Sequence, residues 1–352
     1  MCKIFKISLK PLDWFFFGGE KTFNNGIKDS YYANSEMYPQ QTALLGMLRY
    51  QFLKENGLLT RNDFIPDAKA VEALVGNSSF CAIDSEQTFG VINELSPVFL
   101  ENEGGMVVRM PMTQGYDLTF DPNVKVSLNG KKKNVLINDN GTFDPKKYDN
   151  YLKWKNSDNP LDFSDIFVSR TKIGITKNSQ FDESNDDGFY KMEMLKLKVP
   201  YRYVFYASLN ASLPSGFVYL GGERSCFKME VEQVQDFDNV KDAYLSSHPS
   251  KSQDKQIGRI ELLSPTYIAD VDKLNEYCIF HWSYMQPFRN IQQAKSGNGK
   301  LNSGLVSYHR KQICYNMLTA GSVLFFAEEN RKKVEGLIDN PHFKKIGYNY
   351  YI

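Results

Sequence analysis

The 352-residue sequence has little of what marks several common protein classes. It has five cysteines and no Cys-x-x-Cys pair, which is typical of a reduced protein without a disulfide framework. It has no Gly-x-Ser-x-Gly motif and no apolar run of about 18 residues, so the sequence indicates neither an α/β-hydrolase nor a membrane span. The N-terminus also lacks a signal peptide's apolar core, and we expect a cytoplasmic protein.

Net charge is almost absent as well. The chain has 42 Lys and Arg against 41 Asp and Glu, a formal balance of +1, which excludes a polycationic coat for nucleic acid. The signs are segregated, however, because residues 277–327 contain no acid at all but include Arg289, Arg310 and Lys311. This segment is either the footprint of a phosphate backbone or a set of buried strands, and the sequence leaves both interpretations open.

Regular elements follow from the pattern of apolar residues. Residues Lys3–Leu9 alternate apolar and polar, which predicts an opening strand. Residues Gln40–Asn56 place Leu44, Leu48 and Phe52 on one stripe and end at a glycine, which predicts an amphipathic helix. Between the two lies an apolar segment, residues 14–19, that we expect to be pinned to the core.

The fold expected from the element order is α+β, with two ferredoxin-like (RRM-like) domains. The first spans residues 1–245 and carries two additions. One is a polar, loop-like surface insertion at about 121–160, with a hairpin signal at Asn129-Gly130; the other is a projecting β-hairpin at about 167–197. A Ser-rich linker over 246–256 then leads to the second domain, residues 257–352.

No cofactor is expected. Residues Ser296–Leu301 resemble part of a phosphate-binding P-loop. The motif's first glycine is missing, because residue 294 is alanine, and Leu301 replaces the hydroxyl residue that binds magnesium. Cys278, His281, His309 and Cys314 have residue types that suit zinc, but the last pair falls in a predicted strand, so zinc is the weaker interpretation.

Several segments together resemble a known family. Residues Tyr38–Arg49 are similar to the first helix of RAMP proteins, the RNA-binding subunits of CRISPR effectors, and Gly221-Gly222-Glu223-Arg224 resembles the "GGER" segment of the third subunit of the type III-B (Cmr) complex. Residues 172–193 resemble that family's hairpin, and residues 315–323 resemble its late strand pair. Thr319 and Ser225 depart from the family pattern, and the sister subunit of type III-A complexes shares most of it.

The resemblance implies a non-catalytic subunit of an antiviral ribonucleoprotein. Such a subunit binds the 5′ handle of the CRISPR RNA and docks both the large polymerase-like subunit and the backbone RAMP subunits. Its hairpin acts as a thumb near the target RNA, and no membrane is involved. The resemblance, the basic root of the hairpin and the acid-free segment together give the expected RNA-binding residues: Gln40, Gln41, Thr42, Arg49, Arg170, Thr171, Lys172, Gly221, Gly222, Arg224, Arg289, Arg310 and Lys311.

Elementary chemistry is consistent with these positions. The N-terminus of the predicted helix offers unpaired N–H groups to a phosphate, and glycines let a backbone approach RNA closely. Arg49 either pairs with a phosphate or packs within the protein. An alternative function is a RAMP endoribonuclease that processes the CRISPR precursor RNA, with His281 or His309 as its acid–base group.

Overall fold

The architecture is α+β with mostly antiparallel sheets, which confirms the expected class. The computed structural model describes residues 2–19, 32–59, 64–65, 67–76, 79–82, 87–109, 111–113, 118–128, 131–138, 152–154, 160–177, 184–235, 257–289, 291–293, 304–305, 308–310 and 314–352. Its helices are α1 (Gln41–Glu55), α2 (Ala68–Val75), α3 (Phe163–Ile166), α4 (Val271–Tyr277), α5 (Arg331–Ile338) and α6 (Pro341–Lys344). A 3₁₀ turn at Glu328–Asn330 precedes α5.

The strands fall into two groups along the chain. The first group is β1 (Lys3–Pro11), β2 (Tyr32–Asn34), β3 (Phe64–Ile65), β4 (Ile92–Leu95), β5 (Phe99–Asn102), β6 (Gly105–Arg109), β7 (Leu118–Leu128), β8 (Lys131–Asn138), β9 (Leu152–Trp154), β10 (Pro160–Leu161), β11 (Phe167–Lys177), β12 (Ser184–Leu197), β13 (Arg202–Leu209), β14 (Gly216–Tyr219) and β15 (Cys226–Val234). The second group is β16 (Ile257–Glu261), β17 (Thr266–Tyr267), β18 (Cys278–Trp282), β19 (Met285–Phe288), β20 (Ile291–Gln293), β21 (Gly304–Leu305), β22 (Tyr308–Arg310), β23 (Tyr315–Leu318) and β24 (Val323–Ala327).

A nine-stranded sheet organises the first part of the chain. Its order is β10-β9-β6-β5-β13-β1-β15-β14, with β4 also paired to β13. The predicted alternation in β1 is confirmed, because Phe5, Ile7 and Leu9 are buried on one face. Helix α1 packs its leucines against that face in the main hydrophobic core. One face of the sheet is therefore covered by α1.

The predicted hairpin is present as β11 and β12. The two strands pair in register from Phe167 and Leu197 to Ile175 and Phe189, and the register shifts before the last pair, Lys177 and Ser184. Strand β12 also pairs in parallel with β2. Both strands extend further toward the tip than expected, since β11 reaches Lys177 and β12 begins at Ser184. The intervening residues 178–183 lie outside the described part.

The expectation of a loop-like insertion over residues 121–160 was wrong in part. Strands β7 and β8 pair as an antiparallel hairpin across Asn129-Gly130, the dipeptide that predicted a turn, although that dipeptide itself is outside the described residues. Strand β9 pairs with β6 and so belongs to the main sheet. Pairing with β6 makes these three residues a strand and not part of a surface loop.

The second part of the chain forms two three-stranded sheets, β16-β24-β18 and β17-β23-β19. Helices α4 and α5 pack on the first of them around Leu274, Val334 and Ile338. The last residues return to the first part, where Phe343, Ile346 and Tyr348 join the main core. The predicted linker at 246–256 lies outside the described residues. None of the helices in the described part of the chain has the length and apolar character needed to cross a membrane.

Candidate nucleic-acid interface

The base of the hairpin presents cations on an exposed surface. Arg170 and Lys172 lie two residues apart on β11, opposite Met194 and Met192 of β12, and therefore point to the same face of the hairpin. Both cations and the intervening Thr171 are exposed. This arrangement places two positive side chains in a row along one strand.

Trp14 holds the first of these cations in place. The guanidinium carbon of Arg170 lies 4.5 Å from the centroid of the Trp14 ring, a cation–π contact. Lys196 Nζ lies 6.0 Å from the same ring and 3.6 Å from Asp13 Oδ1. Trp14 thus contacts one cation from each strand of the hairpin.

The predicted glycine-rich segment, residues 221–224, forms a turn that contacts Phe16, two residues after Trp14. Gly222 N donates to the Phe16 carbonyl oxygen at 2.8 Å, and Ser225 Oγ accepts from Phe16 N at 3.2 Å. Gly221 has φ +82°, and a Cβ there would clash with the Phe16 carbonyl oxygen. The two glycines were predicted to let RNA approach; in the structure they pack against residue 16 instead.

The turn and the hairpin are joined by an ion pair. Lys172 Nζ lies 2.8 Å from Glu223 Oε2, with 42% of each side chain exposed. The hydrogen bond to Glu223 raises the pKa of Lys172 above its ordinary value. Glu223 and Arg224 both adopt positive φ, 56° and 53°, which is uncommon for two successive non-glycine residues. This conformation is the kind of local strain that clusters at functional sites.

Arg224 is the cation that this turn presents to solvent. The carboxylate of the adjacent Glu223 binds Lys172. Arg224 is exposed and has no ion-pair partner within the described residues. Arg170, Lys172 and Arg224 therefore belong to one surface built from the hairpin, the Trp14 segment and the turn. These three residues are called the cation cluster.

Helix α1 contributes less to this surface than its sequence suggested. Gln41 is only 2% exposed, and its Nε2 donates to the carbonyl oxygens of Ser96 and Gly347, each at 3.0 Å. The buried Tyr348 contacts the start of the same helix at Thr42, and burial raises the pKa of its hydroxyl to about 12. The C-terminal residues thus cover the helix N-terminus, and of the three residues predicted there Gln40 and Thr42 stay partly exposed.

Arg49 is an interior residue. Its guanidinium donates to the carbonyl oxygens of Val75 (3.1 Å) and Gly76 (3.3 Å) and to Ser79 Oγ (3.3 Å), and the residue is 8% exposed. Two of these acceptors lie at the C-terminal end of α2, where a cation is favourable. Of the two roles left open, packing within the protein is the one observed.

The acid-free segment is partly explained by burial. Residues 323–326 form the buried strand β24, where no charged residue is expected. Arg289 follows β19 and is partly buried, and Arg310 ends β22, whose backbone alone is described. Lys311 lies outside the described residues.

A zinc site does not form among the residues that are described. No group of three or more His, Cys, Asp or Glu side chains is placed to hold a metal there. Cys278 is buried, which raises its thiol pKa to about 12, whereas Cys314 is exposed. His281 bonds through Nδ1 to Ser283 Oγ and through Nε2 to Asn275 Oδ1, each at 2.9 Å.

Sequence reasoning missed Trp14, Lys196 and the pairing of Lys172 with Glu223. The sequence does not single out Trp14, because it lies in a run of four aromatic residues. In the run Trp14–Phe17, Phe15 and Phe17 are buried while Trp14 and Phe16 are partly exposed, which is the period of a strand. The same period places Trp14 on the outer side of the core segment.

Comparison with known proteins identifies the family. The family model described as "CRISPR-associated protein (Cas_Cmr3)" matches residues 7–120 and 141–352. The chain belongs to the Cmr3 family. Residues 121–140, which the family model leaves unmatched, coincide with most of the β7–β8 hairpin.

Membership of the Cmr3 family confirms the resemblance to the third subunit of the type III-B CRISPR effector. Among solved structures, a chain of a cryo-EM structure of the type III-B Cmr-beta bound to cognate target RNA is 14% identical, with a TM-score of 0.52. The alignment covers 99% of this chain and 96% of that one. A second such structure, with cognate target RNA and AMPPnP, gives 15% identity, a TM-score of 0.51 and the same coverage. No curated protein matches the sequence.

Proposed function

We propose that this Cmr3-family chain is a non-catalytic RNA-binding subunit of a type III CRISPR effector. It holds the 5′ handle of the CRISPR RNA and docks the large polymerase-like subunit and the backbone RAMP subunits. The observation that carries the proposal is the meeting of Arg170, Lys172 and Arg224 on one exposed surface beside Trp14. Cations beside an aromatic ring are the chemistry that binds single-stranded RNA.

The proposed RNA contacts are a subset of those expected from the sequence. Arg170, Thr171, Lys172 and Arg224 form the central set, with Trp14 supporting Arg170. Gln40 and Thr42 are partly exposed, and we propose them as additional RNA contacts. Arg289, Arg310 and Lys311 belong to a separate segment and stay predictions. Gln41, Arg49, Gly221 and Gly222 are set aside because their contacts are within the protein.

The hairpin suits the role of a thumb next to the guide–target duplex. Its strands form a separate three-stranded sheet with β2, and its apolar residues Val168 and Ile173 are 41% and 57% exposed. Such side chains on a projecting hairpin are able to wedge against a base step. The Cmr-beta structures of similar fold contain target RNA, which is consistent with this position.

We also propose that residues 1–245 and 257–352 are each ferredoxin-like domains. The second unit has the order β16, β17, α4, β18, then β23, β24 and α5, with helices packed on one sheet. This order is compatible with that fold.

The binding experiment uses the full chain and an RNA that begins with the repeat-derived handle of its own locus. Arg170→Ala/Lys172→Ala is expected to weaken binding and to lower the slope of log affinity against log salt by about 0.7 for each phosphate that is no longer bound. Lys54→Ala, an exposed cation on the solvent side of α1, is the matched control. Unchanged affinity and slope in the double variant would refute the proposal.

The endoribonuclease alternative has no observation in its favour. Both ring nitrogens of His281 are engaged by Ser283 and Asn275, and the side chain of His309 is outside the described residues. Incubation of the purified chain with repeat RNA tests it. Cleavage that His281→Ala or His309→Ala abolishes would replace the proposed function with an enzymatic one.

A further inference from the structure

A cleft lies between the N-terminal end of α1 and the second part of the chain. Pro39, Pro97 and Phe99 line it from the first part of the chain. Pro287 and Ala320 line it from the second part. Its volume is about 140 Å³. Since a cavity of about 150 Å³ holds one benzene ring, the cleft has room for a single planar ring.

Polar groups lie among these apolar walls. Glu36 and Arg109 both line the cleft, and desolvation raises the pKa of the Glu36 carboxyl while the charge of Arg109 lowers it in part. The two groups are therefore within electrostatic reach of each other. Gln41 lines the cleft as well, and its Oε1 is buried without a hydrogen-bond partner among the described residues. Buried polar atoms normally have a partner, so a donor supplied by a ligand would account for this acceptor.

The mixture of polar groups discriminates between classes of ligand. A phosphate is disfavoured, because the carboxylate of Glu36 repels it and the oxygen of Gln41 has no hydrogen to donate. An arginine or lysine side chain is disfavoured by the positive charge of Arg109. An apolar side chain would leave the Gln41 oxygen unpaired. A nucleobase carries donors and acceptors on the edge of a flat ring, so it matches both the polar groups and the proline-rich walls.

The cleft lies close to the sheet that contains the hairpin. Ser35 N donates to the Glu193 carbonyl oxygen at 3.0 Å, and Glu193 is paired in register with Thr171 of β11. Ser35 directly precedes Glu36 of the cleft wall, and Glu36 N donates to the Phe17 carbonyl oxygen at 2.8 Å. Two strand spacings, about 10 Å, therefore separate this wall from β11. At a rise of about 3.4 Å per nucleotide, an RNA bound along β11 spans that distance with about three nucleotides.

We infer that this cleft is a binding site for one nucleobase. The flat walls hold the ring, and Glu36, Arg109 and Gln41 contact its polar edge. Two sources supply this chemistry, an unpaired base of the RNA that the subunit is proposed to hold and a free nucleotide. The RNA source rests on the proposed function, whereas the free-nucleotide source does not. The position beside the hairpin favours RNA.

The test replaces the bases of the handle RNA by abasic sites, one position at a time, and measures binding by the full chain. Every phosphate is kept, so the cation cluster contacts all these probes alike. An abasic site at one position is expected to weaken binding by about 5- to 150-fold, the effect of losing one bound base. In a parallel arm, AMP, GMP, CMP and UMP are each added during urea unfolding, where a nucleotide bound in the cleft raises the midpoint.

Substitutions connect these effects to the cleft. Ala320→Trp fills it without removing a polar group, so this variant should bind the intact RNA as weakly as the unmodified chain binds the critical abasic probe. Glu36→Ala removes one polar contact and should act in the same direction with a smaller effect. Ala269→Trp is the matched control, because Ala269 is exposed in the second part and lies outside the cleft lining. Urea unfolding of each variant establishes that it folds.

The outcomes separate this inference from the function beneath it. Dependence on one base that Ala320→Trp removes assigns the cleft to RNA, and a raised unfolding midpoint that the same variant removes assigns it to a free nucleotide; either result supports the inference. If RNA binds but no single base matters and no nucleotide raises the midpoint, the base site is refuted and the RNA-binding function stands. If the chain binds no RNA while a nucleotide raises the midpoint, the proposed function fails and the base site stands. If Ala320→Trp keeps both effects but loses another effector subunit on copurification, the cleft is a protein interface and the inference is overturned.

Discussion

The ion pair between Lys172 and Glu223 offers a sharp prediction, because its acid stands inside a surface proposed to bind a polyanion. Lys172 Nζ is 2.8 Å from Glu223 Oε2, and both side chains are 42% exposed. Glu223→Gln removes the negative charge while keeping the side chain's shape. The freed lysine is then available to a phosphate, so RNA affinity should rise.

The magnitudes follow from the exposure of the pair. An exposed ion pair contributes about 0.2–1 kcal/mol to stability after screening, so Glu223→Gln should lower the free energy of unfolding by no more than that. One additional phosphate contact should steepen the salt dependence by about 0.7. Lys172→Ala should act in the opposite direction on affinity, with a similarly small effect on stability.

Two measurements separate the effects. Fluorescence polarisation of labelled handle RNA over a range of salt gives affinity and slope, and urea unfolding gives stability. Glu230→Gln is the matched control, since Glu230 also pairs with an exposed lysine but lies beyond the cation cluster. Weaker RNA binding by Glu223→Gln would mean that the ion pair itself positions the turn, and the reasoning about charge would be wrong.

Three further predictions concern the framework of the site. Gly221→Ala should destabilise the chain by about 1–3 kcal/mol, because a Cβ would clash with the Phe16 carbonyl oxygen at positive φ, whereas Gly216→Ala, with no atom within 4 Å of its Cβ, should change urea unfolding little. Arg49→Met should cost about 1–3 kcal/mol through the unpaired acceptors at the end of α2, with Lys54→Met as its exposed control, and an equal effect of both would contradict the interior role. Burial raises the pKa of Tyr348 to about 12 from 10.0, so its contribution to stability is complete below pH 10 and is lost as the pH rises toward 12. Tyr348→Phe should therefore flatten the fall in unfolding free energy between pH 10 and 12, and an unchanged slope in urea titrations would refute this.

Local patterns predicted the elements that carry their own signal. The alternation of β1, the leucine stripe of α1 and the two strands of the hairpin were all readable, because each depends on residues close in sequence. Strand β9 was not readable, since its three residues are a strand only through pairing with β6. Context of this kind overrides local propensity.

The sequence predicted which residues form the candidate site better than it predicted what those residues contact. Arg170, Lys172 and Arg224 were identified from residue type and family resemblance, and the structure places them on one surface. The partners of Gln41 and Gly221 could not be predicted from the sequence. Gly347 and Phe16 are far from them in the chain and contact them only in the folded protein. Without those partners, a buried amide and a packing glycine look like RNA contacts.

Crosslinking tests the central claim most directly. Handle RNA bearing photoreactive nucleotides is bound to the full chain, irradiated, and the attached peptides are identified by mass spectrometry. We expect crosslinks in the segment around Trp14, in residues 168–173 of the hairpin and in residues 221–224 of the turn. Crosslinks confined to the solvent side of α1 or to the second part of the chain, with none at the hairpin and turn, would contradict the proposed RNA-binding surface.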